Sequence, residues 1–121
     1  MKKAVAVTTA SIAIAVTSFA GTSQASNISR ANAVQTAKEY LQTEAFSRKG
    51  LIEQLEFEHY SRSDSIYAVD HCHANWMYEA VQSAREYLQT ESFSRQSLYE
   101  QLLFEGFTPA QARHGVYVAY R

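Results

Sequence analysis

The sequence has one cysteine, one proline and four glycines among 121 residues. A single cysteine excludes an internal disulfide framework and any zinc site built on paired cysteines. So little proline and glycine excludes a collagen-like, low-complexity or loop-dominated chain. An excess of one charge is missing too. The formal net charge is −1 and the pI is near 6.4, far from the basic composition of a nucleic-acid binder. No set of long apolar runs marks a multi-pass membrane protein. The length allows one or two small domains.

What is present begins with a three-part leader. Lys2 and Lys3 supply a charged start, and Ala4 to Ala20 form an uncharged, mildly apolar run. Ser23-Gln24-Ala25 then places small residues at the −3 and −1 positions of a cleavage site, and Ser18-Phe19-Ala20 offers a second cut. This layout predicts a secretory signal peptide over residues 1–25, with cleavage between Ala25 and Ser26. The run is 17 residues long and rich in Ala, Thr and Ser, whereas a membrane span needs about 20 mostly apolar residues. The mature chain then carries nine Lys and Arg against twelve Asp and Glu, a net −3. Such a chain gains little from DNA phosphates and is repelled by anionic lipid. A protein partner with basic patches suits it better.

The mature chain is a tandem duplication. Residues 33–58 and 80–105 align at an offset of 47 without gaps, with 19 of 26 positions identical. The repeating element is therefore a unit of supersecondary structure, over residues 26–73 and 74–121. Within it, Ala33, Ala37, Tyr40, Leu41 and Glu44 recur at helical spacing, as do Ala80, Ala84, Tyr87, Leu88 and Glu91. Ser47 and Ser94 cap a second helix. Phe46 with Leu51, and Phe93 with Leu98, form hydrophobic staples at its start. Gly106 is a left-handed stop, matched by His59 at some backbone strain. Thr108-Pro109 opens a third helix, with Ser61 and Asp64 as the weaker first copy. Ala110, His114 and Val118, or Ile66 and Val69, are expected to face the core. Asn75-Trp76 starts the second unit, with Trp76 as a wedge between units. The fold class is all-α: two tandem tri-helical repeats after the signal peptide. Units this short rarely stand alone, so the two are expected to pack together.

The pattern Tyr-Leu-x4-Phe-Ser-Arg-x2-Leu-x2-Gln-Leu-x-Phe-Glu runs from Tyr40 to Glu58 and again from Tyr87 to Glu105, and Tyr67 to Asp70 reads Tyr-Ala-Val-Asp. It resembles the Ltp-like helix-turn-helix repeat of host-cell-surface-exposed lipoproteins, a family that includes prophage-encoded superinfection-exclusion proteins. The resemblance covers nearly the whole mature chain. It implies a helical repeat displayed outside the bacterial membrane, and in some members a block on phage DNA through the tape-measure protein. The helix-turn-helix label there describes shape, not DNA reading. One feature departs from the pattern: a lipoprotein needs a cysteine just after its signal, and here the one cysteine is Cys72. No lipid anchor is expected, which leaves free secretion or retention by an uncleaved signal.

No residue set reads as an enzyme. Asp70-His71-Cys72-His73 is the densest group of ligand types, but neighbours on a helix point about 100° apart and cannot converge on one ion. Cys72 lacks a positioned base and orienting group. Neither a cofactor nor a metal is expected. Glu44 and Glu91 lie at a helix C-terminus against the macrodipole; Arg48, Arg95 or the next helix's N-terminus are their candidate partners. Partner-binding candidates are Gln35, Glu39 and Gln42 with their copies Gln82, Glu86 and Gln89, read as a twofold acidic docking face. Phe57 and Phe104 either pack under the third helix, the favoured placement, or stand out as aromatic anchors. The expected function is protein–protein interaction outside the cell membrane: superinfection exclusion or a host relative of it. The alternative is a secreted structural or adhesive module.

Overall fold

The computed structural model describes residues 22–121, with side chains described from Asn27 onward. Nearly all of the expected signal peptide lies outside the described residues. Six helices follow in order: α1 (Thr22–Thr43), α2 (Arg48–Phe57), α3 (Arg62–His71), α4 (Trp76–Thr90), α5 (Arg95–Phe104) and α6 (Pro109–Ala119). Among the described residues there is no strand, and no helix is long and apolar enough to cross a membrane. Ala25 and Ser26 belong to the beginning of α1.

Local chemistry sets each boundary. Ser47, Ser61, Asn75, Ser94 and Thr108 are N-caps whose side chains accept from a backbone N–H three residues on, each satisfying a donor the helix cannot satisfy itself. Thr108 adds a reciprocal bond with Gln111, and Pro109 sits at the first helical position. α2 and α5 end alike. The N–H of Tyr60 bonds to the Leu55 carbonyl and that of His59 to Glu56, as Phe107 does to Leu102 and Gly106 to Leu103. This double bond pattern needs a left-handed residue, and His59 (φ 75°) and Gly106 (φ 105°) supply it. His73, also left-handed at φ 62°, ends α3, a turn that no glycine or proline marks.

Each unit builds its own core. In the first, Ala33, Ala37, Tyr40, Phe46, Leu51, Leu55, Ala68, Val69 and Cys72 cluster; in the second, Ala80, Ala84, Tyr87, Leu98, Leu102, Phe107, Ala112 and Val116 do so. α1 packs chiefly on α3, and α4 on α6, while α2 packs mainly on α3 and α5 on α6. Small residues permit this closeness. A Cβ at Gly115 would lie 2.7 Å from the Ala80 carbonyl oxygen, so α6 turns Ala112, Gly115 and Val116 inward. This corrects the expected face: Ala110 and His114 are exposed and Val118 is only half-buried. Glycine carries no hydrophobic signal, so the position that sets the helix rotation does not show in the apolar pattern. Val69 is buried as expected, and Ile66 packs half-buried against the first core.

The units meet, but not through a common core. The joint is polar: the Phe46 N–H donates to Glu79 Oε1 at 3.1 Å, and Ser47 Oγ donates to the Glu105 carbonyl at 2.6 Å. Gly106 faces Ser47 and Lys49 so closely that a Cβ there would lie 2.9 Å from Ser47 Oγ. Trp76, at the start of the second unit, packs half-buried on the first unit's cluster. It bridges the units without being enclosed. Full burial of a tryptophan would make truncation to alanine cost about 3–5 kcal/mol. Trp76→Ala is therefore expected to cost about half that, read as a lower urea midpoint with unchanged helix content; an unshifted midpoint would show that the contact contributes nothing.

Candidate functional site

The sites singled out in the sequence do not fall in one place. Gln35 and Glu39 sit together on α1, with Gln35 Nε2 donating to Glu39 Oε2 at 3.1 Å. Gln35 borders a groove lined also by Arg30, Lys38, Val34 and Tyr67, and the Arg30 guanidinium lies 4.4 Å from the centre of the Tyr67 ring. Two cations border this stretch, so it is not an acidic face. Gln42, from the first unit, meets Gln82 and Glu86, from the second, in a separate groove of about 190 Å³ at the joint, with Leu41, Glu44, Tyr78 and Glu79. Glu44, Glu79 and Glu86 are its charged lining groups. Gln89 is exposed and borders neither groove. The expected twofold face is thus replaced by one acidic groove built from both repeats. Duplicated residues face different neighbours because the units join head to tail.

Phe57 and Phe104 are 65% and 68% exposed, which corrects the favoured placement under the third helix. Each is the last residue of its helix. Phe57 lies two residues past the fully buried Leu55, about 200° around the helix, so burying one side chain turns the other outward.

The feature that sequence reading missed is a polar triad present in both units. The Tyr40 hydroxyl donates to Glu58 Oε2 and accepts from Gln54 Nε2 at 3.2 Å. The Tyr87 hydroxyl does the same with Glu105 and with Gln101 at 3.2 Å. Its signal was available: Tyr, Gln and Glu are identical in both copies, at the same spacing, within an otherwise apolar pattern. The triad ties the long helix of each unit to the end of the short one, next to Phe57 and Phe104. It holds the backbone that presents those rings.

The other candidates have structural partners. Arg48 reaches Asp70 rather than Glu44, through two hydrogen bonds of 2.8 and 2.9 Å. The hydrogen bond to Arg48 holds the Asp70 carboxyl below its usual range, yet both side chains are exposed and the pair adds little stability. Arg95 lies over the Tyr120 ring at 4.6 Å. The carboxylate placed at the start of α2 comes from Glu79, in the second unit. His71 Nδ1 lies 2.7 Å from the Tyr67 carbonyl of its own helix, and its ring stacks on Tyr67. Cys72 points into the first core, where burial pushes its thiol pKa up. The four neighbouring ligand types of residues 70–73 therefore take separate directions.

Burial, then the hydrogen bond to Glu58, pushes the Tyr40 pKa up from 10.0 to about 12. Because the folded-state value lies above the unfolded one, the linked stability is complete below pH ~10 and is lost as pH rises through ~12. Alkaline unfolding followed by circular dichroism is expected to show a stability decline in that window, shrunken in Tyr40→Phe. At neutral pH the same substitution should cost about 1–3 kcal/mol, since it strands Glu58 and Gln54. An alkaline decline of full size in Tyr40→Phe would assign it to another group.

Residues 29–72 and 75–117, one segment per repeat, match the family model described as host cell surface-exposed lipoprotein, a description that supports an extracytoplasmic location. Among solved structures the chain is similar to Ltp, a superinfection exclusion protein from the Streptococcus thermophilus temperate phage TP-J34. The two are 33% identical with a TM-score of 0.70, over 74% of this chain and 93% of that one. No curated protein sequence matches it. Matched in both repeats and over most of its length, the chain belongs to the Ltp family of host cell surface-exposed lipoproteins.

Proposed function

We propose that this chain acts in superinfection exclusion: outside the cytoplasmic membrane it binds a protein of an incoming phage, the tape-measure protein of the tail, and stops the phage DNA from crossing. It does so by binding alone, as a non-enzyme. The observation that carries the reading is the similarity to a superinfection exclusion protein over 93% of that protein's solved chain.

The surface supplies a physical basis. Phe57 and Phe104 present two identical rings on backbones braced by the tyrosine triads. Exposed aromatics on rigid supports lose little entropy on binding and commonly dominate interface energy. Two such sites on one chain strengthen binding when the partner offers matching contacts. The joint groove, with Glu44, Glu79 and Glu86, favours basic segments and makes the interaction weaken with salt.

The test is phage plating on cells with and without the gene, with adsorption scored separately from DNA passage. Protection without loss of adsorption is expected; equal sensitivity of both strains overturns the proposal and favours a structural or adhesive role. Phe57→Ala with Phe104→Ala should abolish protection while shifting stability by about 0.5 kcal/mol or less per site, as exposed positions usually do. Glu86→Lys, in the joint groove, should weaken protection more than Glu39→Lys, bonded to Gln35 on α1. Equal effects of the two reversals would remove the groove from the binding surface.

A further inference from the structure

The joint between the units is made from unlike surfaces. The first unit contributes the turn before α2, with the Phe46 N–H, Ser47 and Gly50. The second contributes the turn after α5, with the Glu105 carbonyl and Gly106, and Glu79 from α4. An interface of this head-to-tail kind is not self-complementary, and unless something stops it, it continues from copy to copy into a ring or a filament. The chain carries a second example of each surface. Phe93, Ser94 and Ser97 repeat the receiving turn on the second unit, while Asn32, Glu58 and His59 repeat the inserting one on the first.

Both outer surfaces have changed at the residues the joint depends on. Where Glu79 reaches a backbone N–H, the first unit has Asn32. Where Gly106 fits, it has His59, in the same left-handed conformation. A Cβ at position 106 would lie 2.8 Å from Lys49 Cβ and 2.9 Å from Ser47 Oγ. The Cβ of His59 would meet a second copy's Gln96 and Ser94 in the same way. On the receiving side, Ser97 replaces Gly50, and Ser94 Oγ donates to Ser97 Oγ at 2.9 Å rather than to an arriving carbonyl. The Tyr120 hydroxyl also covers the Phe93 carbonyl.

We infer that the chain carries a latent self-association joint, the same one that holds its two units together, and that His59, Asn32 and Ser97 keep it from stacking first unit on second unit between copies. Terminal repeats with altered outer faces stop solenoids in the same way.

Sedimentation velocity of the exported chain tests this. The parent should sediment as one chain at every concentration. Asn32→Glu with His59→Gly and Ser97→Gly should give a mass that grows with concentration, and adding Ser94→Trp should return it to one chain. A triple variant with the parent's helix content that stays a single chain overturns the inference, and so does a parent that itself assembles. A second measurement examines the steric block inside the parent. Gly106→Ala should speed hydrogen exchange at the Phe46 amide by tenfold or more while core amides of both units stay protected. An unchanged Phe46 amide would show that a side chain there does not bar the joint.

Discussion

The organisation of this protein rests on what Glu105 does at the end of α5. Its carboxylate takes the hydroxyl of Tyr87, which fastens the second unit's short helix to its long one. Its carbonyl takes the hydroxyl of Ser47, which fastens that unit to the first. One residue thereby couples folding within a unit to placement between units. A buried tyrosine hydroxyl must find a partner or lose about 1–3 kcal/mol, so the bond is as obligatory as the apolar packing around it. In the first unit Glu58 repeats the inner half of this role.

Apart from the His73 turn that ends α3, the helix boundaries were legible in the sequence because they are local. Serine, asparagine and threonine caps, phenylalanine–leucine staples, Pro109 and the left-handed Gly106 and His59 act within a few residues of one another. Family membership was legible for a related reason: the fixed positions of the pattern include the staple, the core leucines and the tyrosine triad. What the sequence hid was relational. Gly115 sets the rotation of α6 through contact with Ala80, and no hydrophobicity pattern flags a glycine. Phe57 and Phe104 look like core residues by type, but Leu55 and Leu102 already hold the inward direction.

The candidate site was legible only in pieces. The glutamines and glutamates of the first helix appear twice in the sequence, which invites reading two equal surfaces. Folding places Gln42 opposite Gln82 and Glu86 and leaves Gln35 beside Arg30. Equal sequences acquired unequal surroundings because head-to-tail joining gives each unit a different neighbour. Ser47 is almost fully buried, whereas its copy Ser94 is exposed.

The tight fit around Gly106 also bears on how the two copies can change after duplication. Identical at birth, the two halves inherited unequal freedom. A turn pressed against a neighbouring unit tolerates no side chain, while its twin faces solvent and answers only to its own backbone. A side chain is therefore admitted at one twin and shut out at the other. The histidine at 59 and the glycine at 106 mark that asymmetry, which the geometry of one contact sets.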